Sequence, residues 1–178
     1  MAIRLTDQLL DLTRSRLGGG IPIQPKRFAI NTLVKQLAGE FELMYPEHLL
    51  RIESDASISG DWDRDRMHQL LTNILNNAVR HGKAASPVHL HIFSEDTEAV
   101  IEVTNEGEPI PAAMLPFIFE AYRQGRGEGS VRSNGLGLGL FIAREIAHAH
   151  RGSIKVASSA GDGTTFSVRI PRADPDNN

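Results

Sequence analysis

Residues 63–82 read DRDRMHQLLTNILNNAVRHG, and the fold turns on what this stretch is. Met67, Leu70, Leu71, Ile74, Leu75 and Ala78 recur at spacings of three and four, the apolar stripe of one helix. Asp63 stands where a side-chain oxygen would cap the first turn. At about 100° per residue, Asn73, Asn77 and Arg80 share an arc of roughly 60° beside the stripe. Asparagine is a poor helix former because its amide competes for the backbone, so two of them bordering a core ask for a reason. An Asn carbonyl is a neutral oxygen ligand suited to Mg²⁺, which takes few protein ligands. Arg80, one turn on, is placed to reach a phosphate. A polar helix flank with inter-element hydrogen bonds accounts for the same residues without a ligand.

Outward from this helix the elements mix. Val88, Leu90 and Ile92 alternate, as do Ile101 and Val103, which predicts an antiparallel hairpin. Upstream, Leu33, Leu37 and Phe41 mark a helix, and residues 49–53 a strand. Downstream, a helix is expected over 136–150, then strands over 154–158 and 164–170 joined by an AGDG turn. Elements outside strict βαβ alternation predict an α+β, two-layer sandwich, a sheet covered by helices on one face. Residues 3–17 carry an apolar seam (Leu5, Leu9 and Leu12; Ile3, Leu10 and Leu17) that suits a bundle helix, and by spacing alone equally a helix packed on its own domain. Gly18, Gly19, Gly20 and Pro22 end it. The expected division is an N-terminal bundle helix over 1–20, one domain over 21–172 and a frayed tail over 173–178.

The 178 residues carry a formal net charge of −3, so no overall basic field invites nucleic acid or an anionic membrane. The absence of cysteine excludes disulfides and thiolate chemistry. No apolar run is long enough to cross a bilayer, so no membrane contact is expected of this chain.

Three further stretches carry chemistry. VTNEGEPIP, residues 103–111, leaves a strand with Asn105 able to present a donor and an acceptor to a purine edge, and Gly107 permits a close backbone approach. SNGLGLGLFI, residues 133–142, places Gly135, Gly137 and Gly139 where a helix opens. Each glycine costs a helix interior about 1 kcal/mol, so three together imply N–H groups bared for phosphate. No Gly-Lys-Ser/Thr follows, and the spacing is not that of the dinucleotide fingerprint. GDGTTF, residues 161–166, turns into the last strand, where Thr164 offers a hydroxyl. Taken singly, each stretch is also explained as a turn or hinge.

Together, the Asn-rich helix, NEGEPIP, FIFEAY, GLGLGL and GDGTTF resemble the ordered boxes of sensor histidine kinases in the GHKL ATPase superfamily, over about residues 25–171. The resemblance implies a Bergerat-type ATP-binding sandwich with a mixed sheet. It implies that Asn77 is the Mg²⁺ ligand, that Asn73 supports metal or phosphates, that Arg80 contacts phosphate and that His81 lies against the nucleotide. Asn105 stands where the family most often has an Asp that accepts from the adenine amino group, and Pro109 replaces a glycine of that box. Gly107, Ile110, Phe119, Tyr122, Arg123, Gly135, Leu136, Gly137, Leu138, Gly139, Leu140 and Thr164 complete the implied ATP pocket. The segment 122–134, with Arg123, Arg126 and Arg132, matches an ATP lid.

By the same resemblance, the γ-phosphate passes to a histidine on a bundle helix, and a response regulator acts downstream. The chain is expected to be cytoplasmic, in a homodimeric parent for which a membrane anchor elsewhere stays open. None of the seven histidines (48, 68, 81, 89, 91, 148 and 150) sits in a phosphoacceptor context, so the chain is expected to bind ATP without phosphorylating itself. A gyrase-type clamp would need a general-base Glu where Asn73 stands. Serine kinases of the anti-sigma type would not need the bundle helix. A degenerate nucleotide-binding scaffold is the remaining alternative.

Overall fold

A computed structural model describes residues 18–55, 57–121 and 137–173. The expected bundle helix, Tyr122, Arg123, Gly135, Leu136, the rest of the lid segment and residues 174–178 lie outside the described residues.

Strands β2 (Leu50–Ser54), β4 (Val88–Glu95), β5 (Glu98–Asn105), β7 (Gly163–Pro171) and β6 (Ser153–Ser159) form one sheet in the order β2-β4-β5-β7-β6. β2 runs parallel to β4, and every other pairing is antiparallel, which makes the sheet mixed. Helices α1 (Ile30–Met44), α2 (Arg64–His81) and α3 (Gly139–Ala149) form the second layer. The expected two-layer α+β sandwich is what the chain adopts.

Period-two alternation sets the core. On the inner face, Ser54, Ile92, Ile101, Val168 and Ile154 stand in one row across the five strands, and Ile52, Leu90, Val103, Phe166 and Val156 in the next. Against them lie Leu70, Leu71 and Ile74 of α2 and Ile142 and Ile146 of α3, all fully buried. Each such side chain contributes roughly 1.5–3 kcal/mol by leaving water. The third row breaks the pattern: Leu50 and Val88 are followed by Asn105, Thr164 and Ser158. The inner face therefore turns polar at one end.

The sequence reading did not anticipate β1 (Lys26–Ala29) and β3 (Ser59–Trp62), which pair antiparallel as a separate ribbon. Trp62, 1% exposed, packs edge-on to Phe28 and donates its indole N–H to the Pro171 carbonyl at 2.7 Å. Arg172 donates to the Ser59 carbonyl at 3.1 Å. A short 3₁₀ turn, Leu115–Phe117, follows the proline-rich exit from β5.

Candidate functional site

The site is assembled where α2, the end of β5, the start of β7 and the start of α3 meet. α2 is seated by its stripe, and Asp63 caps it by accepting from the amides of Asp65 and Arg66 at 3.1 Å each. Seating fixes where the asparagines go. Asn76 accepts the Tyr45 hydroxyl proton at 2.8 Å and belongs to the packing of α1 on α2. Asn73 faces the other way: a Cβ built on Gly139 would lie 3.7 Å from its amide carbon and oxygen. Its Nδ2 is buried without a hydrogen-bond partner among the described residues, a state that costs about 1–3 kcal/mol. Thr72 Oγ1 is the other such atom. Asn77 is partly exposed and Arg80 exposed.

α3 begins at Gly139 with Leu138 as its cap residue, no side-chain cap and no acidic residue in its first turn. Among the described residues, no side chain caps its first N–H groups, which with the positive end of its dipole lie beside Asn73. Gly137, with φ +68°, makes the turn into it, Leu138 is buried in the core, and Leu140 is partly buried.

At the other end of the site, three segments cross closely around Asn105. A Cβ on Gly107 would come within 2.4 Å of the His81 carbonyl, so the 105–111 loop runs directly under the end of α2. Lys83 N–H donates to the Glu106 carbonyl at 2.6 Å across the same junction. Asn105 is 3% exposed, and its Nδ2 donates to the Glu106 carbonyl at 3.3 Å, which leaves Oδ1 as the amide's acceptor. Its register partner is Thr164, itself buried. Ile110 N–H donates to Ser158 Oγ at 2.9 Å, and Ser158 Oγ lies 2.7 Å from Thr164 Oγ1. Phe119 packs edge-on to Phe166 with ring centres 6.3 Å apart. His81 is exposed at the helix end, where desolvation first and the Arg80 charge second push its pKa below the ordinary value. Its ring is therefore neutral near pH 7.

A family profile described as "Histidine kinase-, DNA gyrase B-, and HSP90-like ATPase" matches residues 62–174. The chain belongs to this family. Within it, this is an ATP-binding domain of the sensor-histidine-kinase type. The probable sensor histidine kinase TcrY of Mycobacterium tuberculosis is 32% identical over 171 residues, 94% of this chain and 35% of that protein. A bacteriophytochrome of Pseudomonas aeruginosa is 33% identical over 168 residues, 94% of this chain and 23% of that protein. The chain thus spans about a quarter to a third of the relatives it matches. The solved catalytic domain of the histidine kinase ThkA superposes with a TM-score of 0.75 at 25% identity, covering 85% of this chain and 97% of that one. Full-length ShkA in complex with AMPPNP gives 0.77 at 25% identity, over 94% of this chain and 36% of that one.

The residues present in this ATP-binding domain fit a nucleotide with a divalent cation. Among the described residues, one end offers helix-start N–H groups without a side-chain cap and an amide without a partner, and the other offers neutral acceptors and hydroxyls suited to a base. Among the described residues, no three His, Cys, Asp or Glu side chains converge as a metal cage. A cation here would draw on phosphate oxygens, water and a neutral amide, the donor set that Mg²⁺ accepts.

Sequence reasoning singled out Asn73 and Asn105 but passed over Ser158, Tyr45 and His150. Ser158 was signalled by its place: a serine at an inward position of an alternating strand. No local signal separated Asn76 from its neighbours, because Tyr45 lies 31 residues away.

Proposed function

We propose that this chain binds Mg²⁺-ATP in the site just described, as the catalytic part of a sensor kinase that transfers the γ-phosphate to a histidine on a helix bundle of the same protein. Residues 21–172 form the ATP-binding domain, and residues 1–20 are the end of the dimerisation and phosphoacceptor bundle of a homodimeric parent. A response regulator receives the phosphoryl group, and the reaction takes place in the cytoplasm. The observation that carries this reading is that, among the described residues, the buried Asn73 amide has no partner and the helix start beside it no side-chain cap.

Phosphoryl transfer needs little covalent help from a protein, so positioning and charge neutralisation are the task. Mg²⁺, held by Asn77, supplies neutralising charge at the phosphates when bound. Asn73 and the first N–H groups of α3 bind phosphate oxygens, and Arg80 adds a positive charge. Asn105 Oδ1 accepts from the exocyclic amine of the base, Thr164 presents a hydroxyl beside it, and the neutral His81 ring packs on the nucleotide. Gly107 and Ile110 carry the loop that closes the base end, and Phe119 roots the segment holding Tyr122, Arg123, Gly135 and Leu136. The phosphoacceptor histidine lies in another part of the parent.

Calorimetric titration with ATP and ADP, with and without Mg²⁺, tests the reading. Mg²⁺-dependent binding is expected in the wild-type chain and its loss in Asn77→Ala. Failure of both nucleotides to bind at high micromolar concentration would overturn it in favour of a scaffold without catalytic use.

A further inference from the structure

The inner face of the sheet ends in the row Asn105, Thr164, Ser158, each opposite the next across β5, β7 and β6. The first two have a use in the reading above. The third has none, although it is the best connected of the row. Ser158 Oγ accepts the Ile110 amide at 2.9 Å and lies 2.7 Å from Thr164 Oγ1. One hydroxyl thus joins the exit of the 105–111 loop to the first inward side chain of β7.

The neighbouring serine shows that this is not generic hairpin bonding. Ser159 Oγ donates to Asp162 Oδ2 at 2.8 Å and accepts the Asp162 amide at 3.0 Å, which closes its own turn. Ser158 makes no bond to that turn. It reaches 48 residues back along the chain to Ile110.

A hydroxyl has one proton and two lone pairs. With one lone pair of Ser158 engaged by Ile110, the bond to Thr164 runs in either of two senses. When Ser158 donates, the Thr164 proton is left for a ligand. When Thr164 donates, that proton is consumed. Ser158 therefore bears on two properties at once: the separation between loop and β7, and the donor state of Thr164 beside the Asn105 amide.

We infer that Ser158 is a positioning residue for recognition of the purine base, acting through Thr164 and the Ile110 loop and not by contact with the nucleotide. This rests on the reading of Asn105 and Thr164 as the wall that meets the base. Ser158 orients the Thr164 hydroxyl and sets the gap into which the base edge fits.

Titration of the chain with Mg²⁺-ATP and with Mg²⁺-ITP, whose base carries an oxo group in place of the amine, tests this in Ser158→Ala, Ser158→Thr and Ser159→Ala. Hydrogen exchange at the Ile110 amide, followed without nucleotide, reports the clasp directly. Losing two neutral hydrogen bonds, Ser158→Ala is expected to weaken ATP binding about five- to tenfold, to narrow the ATP-to-ITP ratio and to speed Ile110 exchange. Ser158→Thr keeps the hydroxyl and restores all three, and Ser159→Ala moves none of them.

Faster Ile110 exchange with unchanged binding of both nucleotides would reduce Ser158 to a fold residue and overturn the inference. So would an equal loss of ATP binding in Ser159→Ala, which would mean that any loosening of the hairpin suffices. Should wild-type chain bind both nucleotides equally and Asn105→Ala bind as well as wild type, the base-wall reading itself falls.

Discussion

His150 Nε2 accepts the backbone N–H of Asp63 at 3.0 Å, while its Nδ1 donates to the Ile146 carbonyl at 2.8 Å. A ring that donates at Nδ1 and accepts at Nε2 is neutral and held in one tautomer. The bond ties the end of α3 to the cap of α2, the helix that carries Asn73 and Asn77. Asp63 in turn accepts the Gln24 amide at 2.7 Å, so three segments meet at this point.

The neutral ring predicts a pH dependence. Burial lowers the His150 pKa, against smaller upward pulls from the Ile146 bond and the Asp63 charge. An unfolded histidine titrates near pH 6.5, so below that the unfolded chain takes up a proton that the folded chain refuses. The stability held by the neutral form is complete above about pH 6.5 and is lost as pH falls toward the lowered folded value. His81 is lowered as well and acts in the same sense, so the comparison belongs in a His81→Ala background. There, the thermal midpoint is expected to fall more steeply between pH 7 and 5 with His150 than with His150→Gln. Parallel curves would show that the fold does not lower the pKa of this ring.

Asn73 and Asn76 differ by one turn in position and by everything in partnership. Asn73→Leu removes an unpaired buried amide and is expected to stabilise the nucleotide-free chain by about 1 kcal/mol, or a few degrees in midpoint, while binding of Mg²⁺-ATP is lost. Asn76→Ala removes the acceptor of the Tyr45 hydroxyl, costs about 1 kcal/mol and leaves nucleotide affinity unchanged. Thermal unfolding and calorimetry on both variants check the pair. A lowered midpoint in Asn73→Leu would mean that the amide already has a native partner.

The two glycines of the G-D-G turn are equally unequal. A Cβ on Gly163, at φ +75°, would stand 2.3 Å from the Asn105 carbonyl oxygen, whereas one on Gly161 would meet nothing within 4 Å. Gly163→Ala is expected to cost more than about 2 kcal/mol, because it combines a left-handed backbone with a collision against β5. Gly161→Ala should stay within about 0.5 kcal/mol of wild type. Chemical denaturation of the two variants decides it, and similar losses in both would show that the turn, not the crossing, is what glycine serves.

What periodicity could reach, it reached. The stripe from Met67 to Ala78, the Asp63 cap and the β4–β5 hairpin stand as read, because the forces that write them are local or face a single core. The helix read from 136 is observed from Gly139, since a start without a capping side chain leaves no mark in the sequence. The β1–β3 ribbon was not legible: KRFA and SGDW are short, and what holds them is the indole of Trp62 bonded to a residue 109 positions away. In the site, residue types pointed to Asn73 and Asn105. The orientation that separates Asn73 from Asn76 came from tertiary packing.

That distant bond also bears on how the protein is made. Trp62, Asp61 and Ser59 leave the ribosome well before Pro171 and Arg172, which they bond. At about 5–20 residues per second, the indole waits on the order of 5–20 s for its acceptor. During that interval the ribbon lacks the bonds that tie it to the end of β7. Synthesis of the closing strand, more than collapse around α2, then sets the moment at which this domain becomes a finished body.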